Sequence, residues 1–225
     1  MTENLLLVPL DDTVVFPNMH VTLAIDAGDE ERVLLVPRHE DEFASVGTVA
    51  EVVDRVRLPG GARAVELAGL HRGSAGAAST SPDGTLRVDV TEQIDDEPVD
   101  GRTRELEREY RGVVEELLEL RGRGGAGEAG GPGRIAAFVR SITEAGVLAD
   151  TSGYSPDLSF EQKVELLETL DVTERLELAL RLQRERLAEL QVRRRIRDDV
   201  QSGAEAQQRE YFLRKQMESI QKELG

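Results

Sequence analysis

Val46-Gly47-Thr48-Val49-Ala50-Glu51-Val52-Val53-Asp54-Arg55-Val56 and Ala64-Val65-Glu66-Leu67-Ala68 flank Pro59-Gly60-Gly61, and this stretch decides the first half of the fold. Both arms are rich in Val. Glycine supplies the positive φ that a tight connection needs, so the stretch reads as two strands of one hairpin. Working outward, Val21, Leu23 and Ile25 alternate with Thr22 and Ala24, and Leu86, Val88 and Val90 alternate with Arg87, Asp89 and Thr91. Arg32–Val36 is a further Val-rich run. Pro17-Asn18, Ala27-Gly28-Asp29 and Pro82-Asp83-Gly84 mark turns between these segments. Short strands at this spacing, from Leu5 to about Gln93, predict a small closed or half-closed barrel. Gly73-Ser74-Ala75-Gly76 reads as one more turn.

The period then changes. Leu106, Tyr110, Val113, Val114, Leu117 and Leu118 recur on one face of an amphipathic helix. The helix runs into Gly122–Gly133, where seven of twelve residues are glycine, a composition that predicts a flexible inter-helix linker. Ile135, Phe138, Val139 and Ile142 form a second apolar face. Ser159-Phe160-Glu161-Gln162 fits a capping box opening a helix through Val164, Leu167 and Leu170. Asp171-Val172-Thr173-Glu174 is another start signal. From Thr173 to Leu224 only Gly203 interrupts helix-forming sequence, which predicts a rod of roughly 78 Å at ~1.5 Å per residue. Leu176, Leu180, Leu187 and Leu190 keep a coiled-coil-like spacing with Gln183 in the seam, and Leu213, Met217, Ile220 and Leu224 resume it. Val192, Ile196 and Val200 step by four between them, so the seam drifts. The expected class is therefore α+β: a β-rich subdomain over residues 1–98, a helical bundle over 99–170, and one long coiled-coil-like helix over 171–225.

Charge follows the same division. The 225 residues carry 44 acidic and 28 basic side chains, a formal charge of −16. Residues 1–170 hold 33 acidic and 16 basic side chains, a net of −17, whereas residues 171–225 hold 11 and 12, a net of +1. The tail is balanced, as on a solvated helix. Such acidity argues against a nucleic-acid surface. Without cysteine there are no disulfides, no thiolate catalysis and no Cys-based zinc site. Met1-Thr2-Glu3-Asn4 has no basic leader, and no apolar run reaches membrane-spanning length, which predicts a soluble, cytoplasmic chain.

Catalytic chemistry is not legible. A P-loop needs a lysine after its last glycine, and no lysine occurs before Lys163. Ser219-Ile220-Gln221-Lys222 matches S-x-x-K in spacing alone, far from any companion motif. His20, His39 and His71 lack partners at metal-ligand spacing and read as surface or satisfied histidines. Arg193-Arg194-Arg195-Ile196-Arg197, followed by Asp198-Asp199, reads as a solvated helix face. No catalytic, cofactor-binding or metal residue is assigned. The candidate contact residues are Tyr211, Phe212, Met217 and Ile220, which form either a coiled-coil seam or a peptide- or subunit-contacting surface.

Several segments, in order, resemble the Lon family of ATP-dependent proteases. Val8-Pro9-Leu10 with Val14-Val15-Phe16-Pro17 resembles its opening strand and turn. Val46-Gly47-Thr48-Val49-Ala50, Leu58-Pro59-Gly60-Gly61 and Glu66-Leu67-Ala68-Gly69-Leu70-His71-Arg72 resemble the next strand and hairpin. Lys163–Leu170 with Thr173-Glu174-Arg175-Leu176 resembles a helix pair. Gln208–Met217, then Ile220-Gln221-Lys222-Glu223-Leu224-Gly225, resembles the lead into the family's ATPase module. Three features depart from the pattern: Asp26–Glu31 leaves room only for a turn where the family has a helix, the Gly122–Gly133 linker is unusual, and Gly146–Asp157 fits the family poorly. The resemblance implies a PUA-like barrel, a bundle and a long helix that together form the amino-terminal region of a homohexameric serine endopeptidase. ATP and Mg belong to a module absent from this sequence, and the expected partners are unfolded or degron-bearing proteins. Capture by a cleft between barrel and bundle is the working expectation. A stand-alone LON-domain module that binds a ligand or degron without an ATPase is the alternative.

Overall fold

A computed structural model describes residues 2–25, 27–57, 63–81, 84–96, 100–122 and 132–224. The Pro59-Gly60-Gly61 turn and most of the glycine-rich linker lie outside the described residues. Seven strands come first: β1 (Thr2–Asp11), β2 (His20–Leu23), β3 (Arg32–His39), β4 (Glu42–Phe43), β5 (Val46–Arg57), β6 (Arg63–Thr80) and β7 (Leu86–Gln93). Helices follow: α1 (Gly101–Gly122), α2 (Pro132–Ser141), α3 (Ala145–Asp150), a 3₁₀ turn (Thr151–Tyr154), α4 (Phe160–Glu168) and α5 (Val172–Leu224).

The hairpin expected at the outset is β5–β6, antiparallel down to Arg57 opposite Arg63. Strand order is β1-β7-β6-β5-β3-β4, and a parallel pairing of β1 with β3 closes the ring. β6 is long enough to serve two neighbours along one edge, β2 at Val65–Ala68 and β7 at Arg72–Thr80. Register shifts at Val49/Ala50, Val52/Asp54 and Ala75/Ala78 supply the curvature such closure requires. Gly73–Gly76 is therefore strand, not turn. Its glycines answer to close packing: a Cβ on Gly73 would stand 2.5 Å from a Val90 methyl, and one on Gly76 2.9 Å from the Asp89 carbonyl.

Successive residues of β3 feed two cores. Leu34 and Val36 join Leu5, Leu7, Val49, Val88 and Val90 within the ring. Val33 and Leu35 join Val8, Leu10, Val15, Ala50, Val65 and Leu67 beneath β2 and the chain leading to it. Gly28, at φ 55°, turns the chain between β2 and β3 where the family pattern has a helix.

A third core is shared between barrel and helices. Val14, Phe16 and Val46 pack with Tyr110, Leu148, Leu166, Leu167, Leu176 and Ala179. The expected α1 face is the packed one, with Tyr110, Leu117 and Leu118 buried and Leu106, Val113 and Val114 partly so. α2 departs from expectation: Val139 and Ile142 are buried, yet Ile135 and Phe138 stay exposed. Its main neighbour among the described elements is α1. The capping box forms, with Gln162 N–H donating to Ser159 Oγ and Ser159 N–H donating to Gln162 Oε1. α5 runs unbroken through Gly203. Its seam residues Leu176, Leu180 and Leu187 find their partners inside this chain, against α1 and α3.

Candidate functional site

At the meeting of barrel and bundle, charge is buried. β6 carries Arg72 inward, where its guanidinium donates to both oxygens of Asp150 at 2.9 and 2.7 Å and through Nε to the Leu167 carbonyl at 2.8 Å. α5 delivers Arg175 from the other side. It donates to both oxygens of Asp95 at 2.8 and 2.6 Å, and to the Thr169 and Leu170 carbonyls at 2.8 and 2.9 Å. Nη1 of Arg175 also stands 3.5 Å from Asp150. The side chains of Arg72, Asp150 and Arg175 are 1%, 2% and 0% exposed. The carbonyls that they engage lie at and just past the end of α4, where helix geometry leaves acceptors unsatisfied. Only a planar fork of five donors reaches a carboxylate and such carbonyls at once, which is why arginine stands in both places. Burial works against the Arg175 charge, but Asp95 and Asp150 outweigh it and hold its pKa above the ordinary value.

This cluster is a clamp that joins β6, α3, the end of α4 and α5. Barrel and bundle pack directly against each other where the cleft was expected. Phe16 seats its ring edge-on against Tyr154 (centroids 6.5 Å apart), the Tyr154 hydroxyl donates to the Pro17 carbonyl at 3.1 Å, and a Cβ on Gly153 would meet the Phe16 ring at 2.3 Å. Around the clamp, Leu70, Ile94 and Leu170 remain exposed. They offer apolar surface at the junction.

The four candidate contact residues lie far out on α5. Residues 191–223 are exposed without exception, an arm of about 50 Å beyond the bundle. Tyr211, Phe212, Met217 and Ile220 are 60%, 58%, 62% and 55% exposed. Helical geometry divides them. Leu213, Met217 and Ile220 share one stripe, whereas Tyr211 faces the opposite side and Phe212 lies between, its ring edge-on to Tyr211 at 6.0 Å. The arginine run is tied down locally, with Arg193 on Glu189 and Arg194 on Asp198. His39 pairs with Asp12 at 2.6 Å, a hydrogen bond that raises its pKa, and His71 lies 3.1 Å from Glu92.

Set against known proteins, residues 4–184 match a family model described as the ATP-dependent protease La (LON) substrate-binding domain. The chain belongs to the Lon family. It is 40% identical over 248 residues to the Lon protease of Chloroflexus aurantiacus, an alignment that takes in all of this chain and 28% of the relative. Identity to the Lon protease of Mycolicibacterium smegmatis is 36% over 227 residues, covering 96% of this chain and again 28% of the relative. The chain thus spans just over a quarter of these Lon proteases. Among solved structures it resembles the N terminal domain of Mycobacterium avium complex Lon protease, with a TM-score of 0.68, 31% identity, and 80% of this chain and 98% of that one covered. A Lon N-terminal domain protein from Xanthomonas campestris shares the fold at a TM-score of 0.54 and 18% identity.

Three of the segments that carried the Lon resemblance lie in the packed body, whereas Gln208–Leu224 belongs to the exposed arm. Val46–Ala50 is the buried start of β5, where Thr48 Oγ1 donates to the Val15 carbonyl at 2.6 Å and a Cβ on Gly47 would press to 2.5 Å from the Leu35 carbonyl. Glu66–Arg72 ends in the clamp's first arginine, and Thr173–Leu176 contains its second. What sequence reasoning missed is Asp150, from the stretch without a clear family counterpart, and Asp95. An arginine among inward-facing strand residues was the available signal that a buried carboxylate exists elsewhere.

Proposed function

We propose that this chain is the substrate-recognition and assembly-supporting amino-terminal region of an ATP-dependent serine endopeptidase that degrades misfolded and regulatory proteins. In this reading ATP, Mg and the catalytic Ser-Lys pair belong to other modules of a cytoplasmic homohexamer, and neither nucleic acid nor membrane is engaged through this region. The observation that carries it is the contrast between a clamped body and a bare arm. A stiff helix holds the capture surfaces at a distance from whatever follows, and its uncovered Leu213, Met217 and Ile220 stripe offers apolar contact to an unfolded chain or a second subunit. The net charge of −17 over residues 1–170 supports the same role, since like charge keeps a module with exposed apolar surface soluble. Hydrogen exchange of residues 1–225 with and without a chemically unfolded model protein tests it. Slowed exchange at the α5 stripe or at Leu70, Ile94 and Leu170 is expected, and absence of binding would remove the reading.

A further inference from the structure

The ring of strands is not filled to its end. Where β1 and β3 begin and β7 finishes, a cavity of ≈ 230 Å³ opens at the barrel mouth. Its floor is apolar: Leu5, Val49 and Val90, all buried, from three strands of the ring. Its rim is charged. Following the strand order β3, β1, β7, β6, the rim residues are Arg32, Glu3, Glu92 and His71, so the sequence of charge types is basic, acidic, acidic, basic. Arg32 Nη2 lies 2.7 Å from Glu3, and His71 Nε2 lies 3.1 Å from Glu92.

Each carboxylate has its own partner, Glu3 the Arg32 guanidinium and Glu92 the His71 ring, while the two stand next to one another. Register sets Glu3 opposite Val90 on the neighbouring strand. Glu92 is therefore its diagonal neighbour on the same face, about 7–8 Å away. Two adjacent carboxylates over an apolar floor leave a position where a positive charge would be favoured from both sides. The complementary ligand has its positive charge at rim height and an apolar group directly beneath. We propose that the barrel mouth binds the amino-terminal residue of a polypeptide, its α-ammonium between Glu3 and Glu92 and an uncharged apolar side chain on Leu5, Val49 and Val90.

The other chain groups fit less well. A lysine side chain entering the cavity would carry its ammonium down onto the floor, where an unpaired charge is costly. A terminal carboxylate would face two carboxylates. The volume equals that of about eight waters at ~30 Å³ each, room for one chain end and no more. This inference rests on the reading that the region recognises polypeptide substrates, and it names the feature recognised.

The test is NMR titration of residues 1–225 with the peptide amide Leu-Ala-Ser-Ala, its N-acetylated twin, and an unfolded model protein with an acetylated amino terminus. The free-amine peptide is expected to shift resonances of Leu5, Val49 and Val90. Acetylation should weaken binding by about tenfold or more, as should Glu92→Gln. Equal binding of the acetylated peptide, or a free-amine peptide that leaves the mouth unshifted, overturns the proposal. The comparison of peptides needs no variant, so a failure of Glu92→Gln to fold leaves it decisive. If the acetylated unfolded protein binds elsewhere while the mouth stays silent, substrate recognition stands and the mouth does not. If nothing binds, the broader reading fails with it.

Discussion

Asp150 accepts from Arg72 and sits within reach of Arg175, both fully buried, so its charge balances more than one neighbour. Replacing it with Asn keeps the shape and removes the charge, leaving a buried guanidinium without its carboxylate. Asp150→Asn is expected to cost about 3–5 kcal/mol in denaturant unfolding, more than any exposed ion pair in the chain would. A loss below 1 kcal/mol would mean that water reaches the clamp. Arg175→Lys should be nearly as damaging, since one ammonium cannot span Asp95 and two carbonyls. Tyrosine supplies a pH signature. Burial pushes the Tyr154 hydroxyl up to about 12 with Asp150 adding to it, and burial holds Tyr110 higher still. The unfolded chain releases these protons near pH 10, so it binds fewer protons than the native state above that point. Stability is therefore fully present below pH 10 and falls as pH rises toward 12. Tyrosinate absorbance from Tyr110 and Tyr154 should appear together with loss of the fold. The pairing itself was not legible beforehand: an arginine in a buried strand signals a carboxylate somewhere, but Arg72 and Asp150 are 78 positions apart and no local pattern says which one.

Elements were legible to the extent that their signals are local. The α4 capping box needed only four consecutive residues, and both of its hydrogen bonds form. Ser159→Ala should cost about 1 kcal/mol, read from the thermal midpoint, and Ser159→Gly markedly less. Strand alternation located β7 and the hairpin for the same reason. The α2 face was over-read because periodicity shows which residues could be buried, whereas burial needs a neighbour, and α1 is the main one among the described elements. Gly203 was the one doubt in the long helix, yet α5 passes through it with open space around the position. Glycine in an exposed helix is unfavourable by about 0.5–1 kcal/mol relative to alanine. Gly203→Ala should raise far-ultraviolet helicity of the arm and leave the melting of the barrel untouched; a shift in both would mean that arm and body are coupled.

At the scale of the molecule, the core does not pause where the charge changes sign. Leu176, Ala179, Leu180 and Leu182 share one cluster with Phe16 and Val46 of the barrel and with Tyr110 and Leu148 of the helices. Arg175, on the same stretch, ties Asp95 after the last strand to the end of α4. The first turns of α5 are thus internal to the body, while residues 191–223 are exposed throughout, with Gln191 still donating to Glu116 of α1 at 2.8 Å. Two truncations separate these roles. A chain ending at Leu190 keeps the clamp and the whole shared core, and should unfold in one cooperative step at nearly the full-length midpoint. A chain ending at Leu170 loses Arg175 and six buried positions of the shared core together, four of them leucines whose loss is worth about 2–5 kcal/mol each, against a typical total of about 5–15 kcal/mol. It should fail to fold its helices and leave Asp150 and Phe16 exposed. Limited proteolysis gives the same division without any variant, with early cuts along residues 191–223 and a resistant fragment that still contains Leu187. Cooperative unfolding of residues 1–170 alone would show that barrel and helices stand without α5, and that the arm is joined to the body only by its sequence.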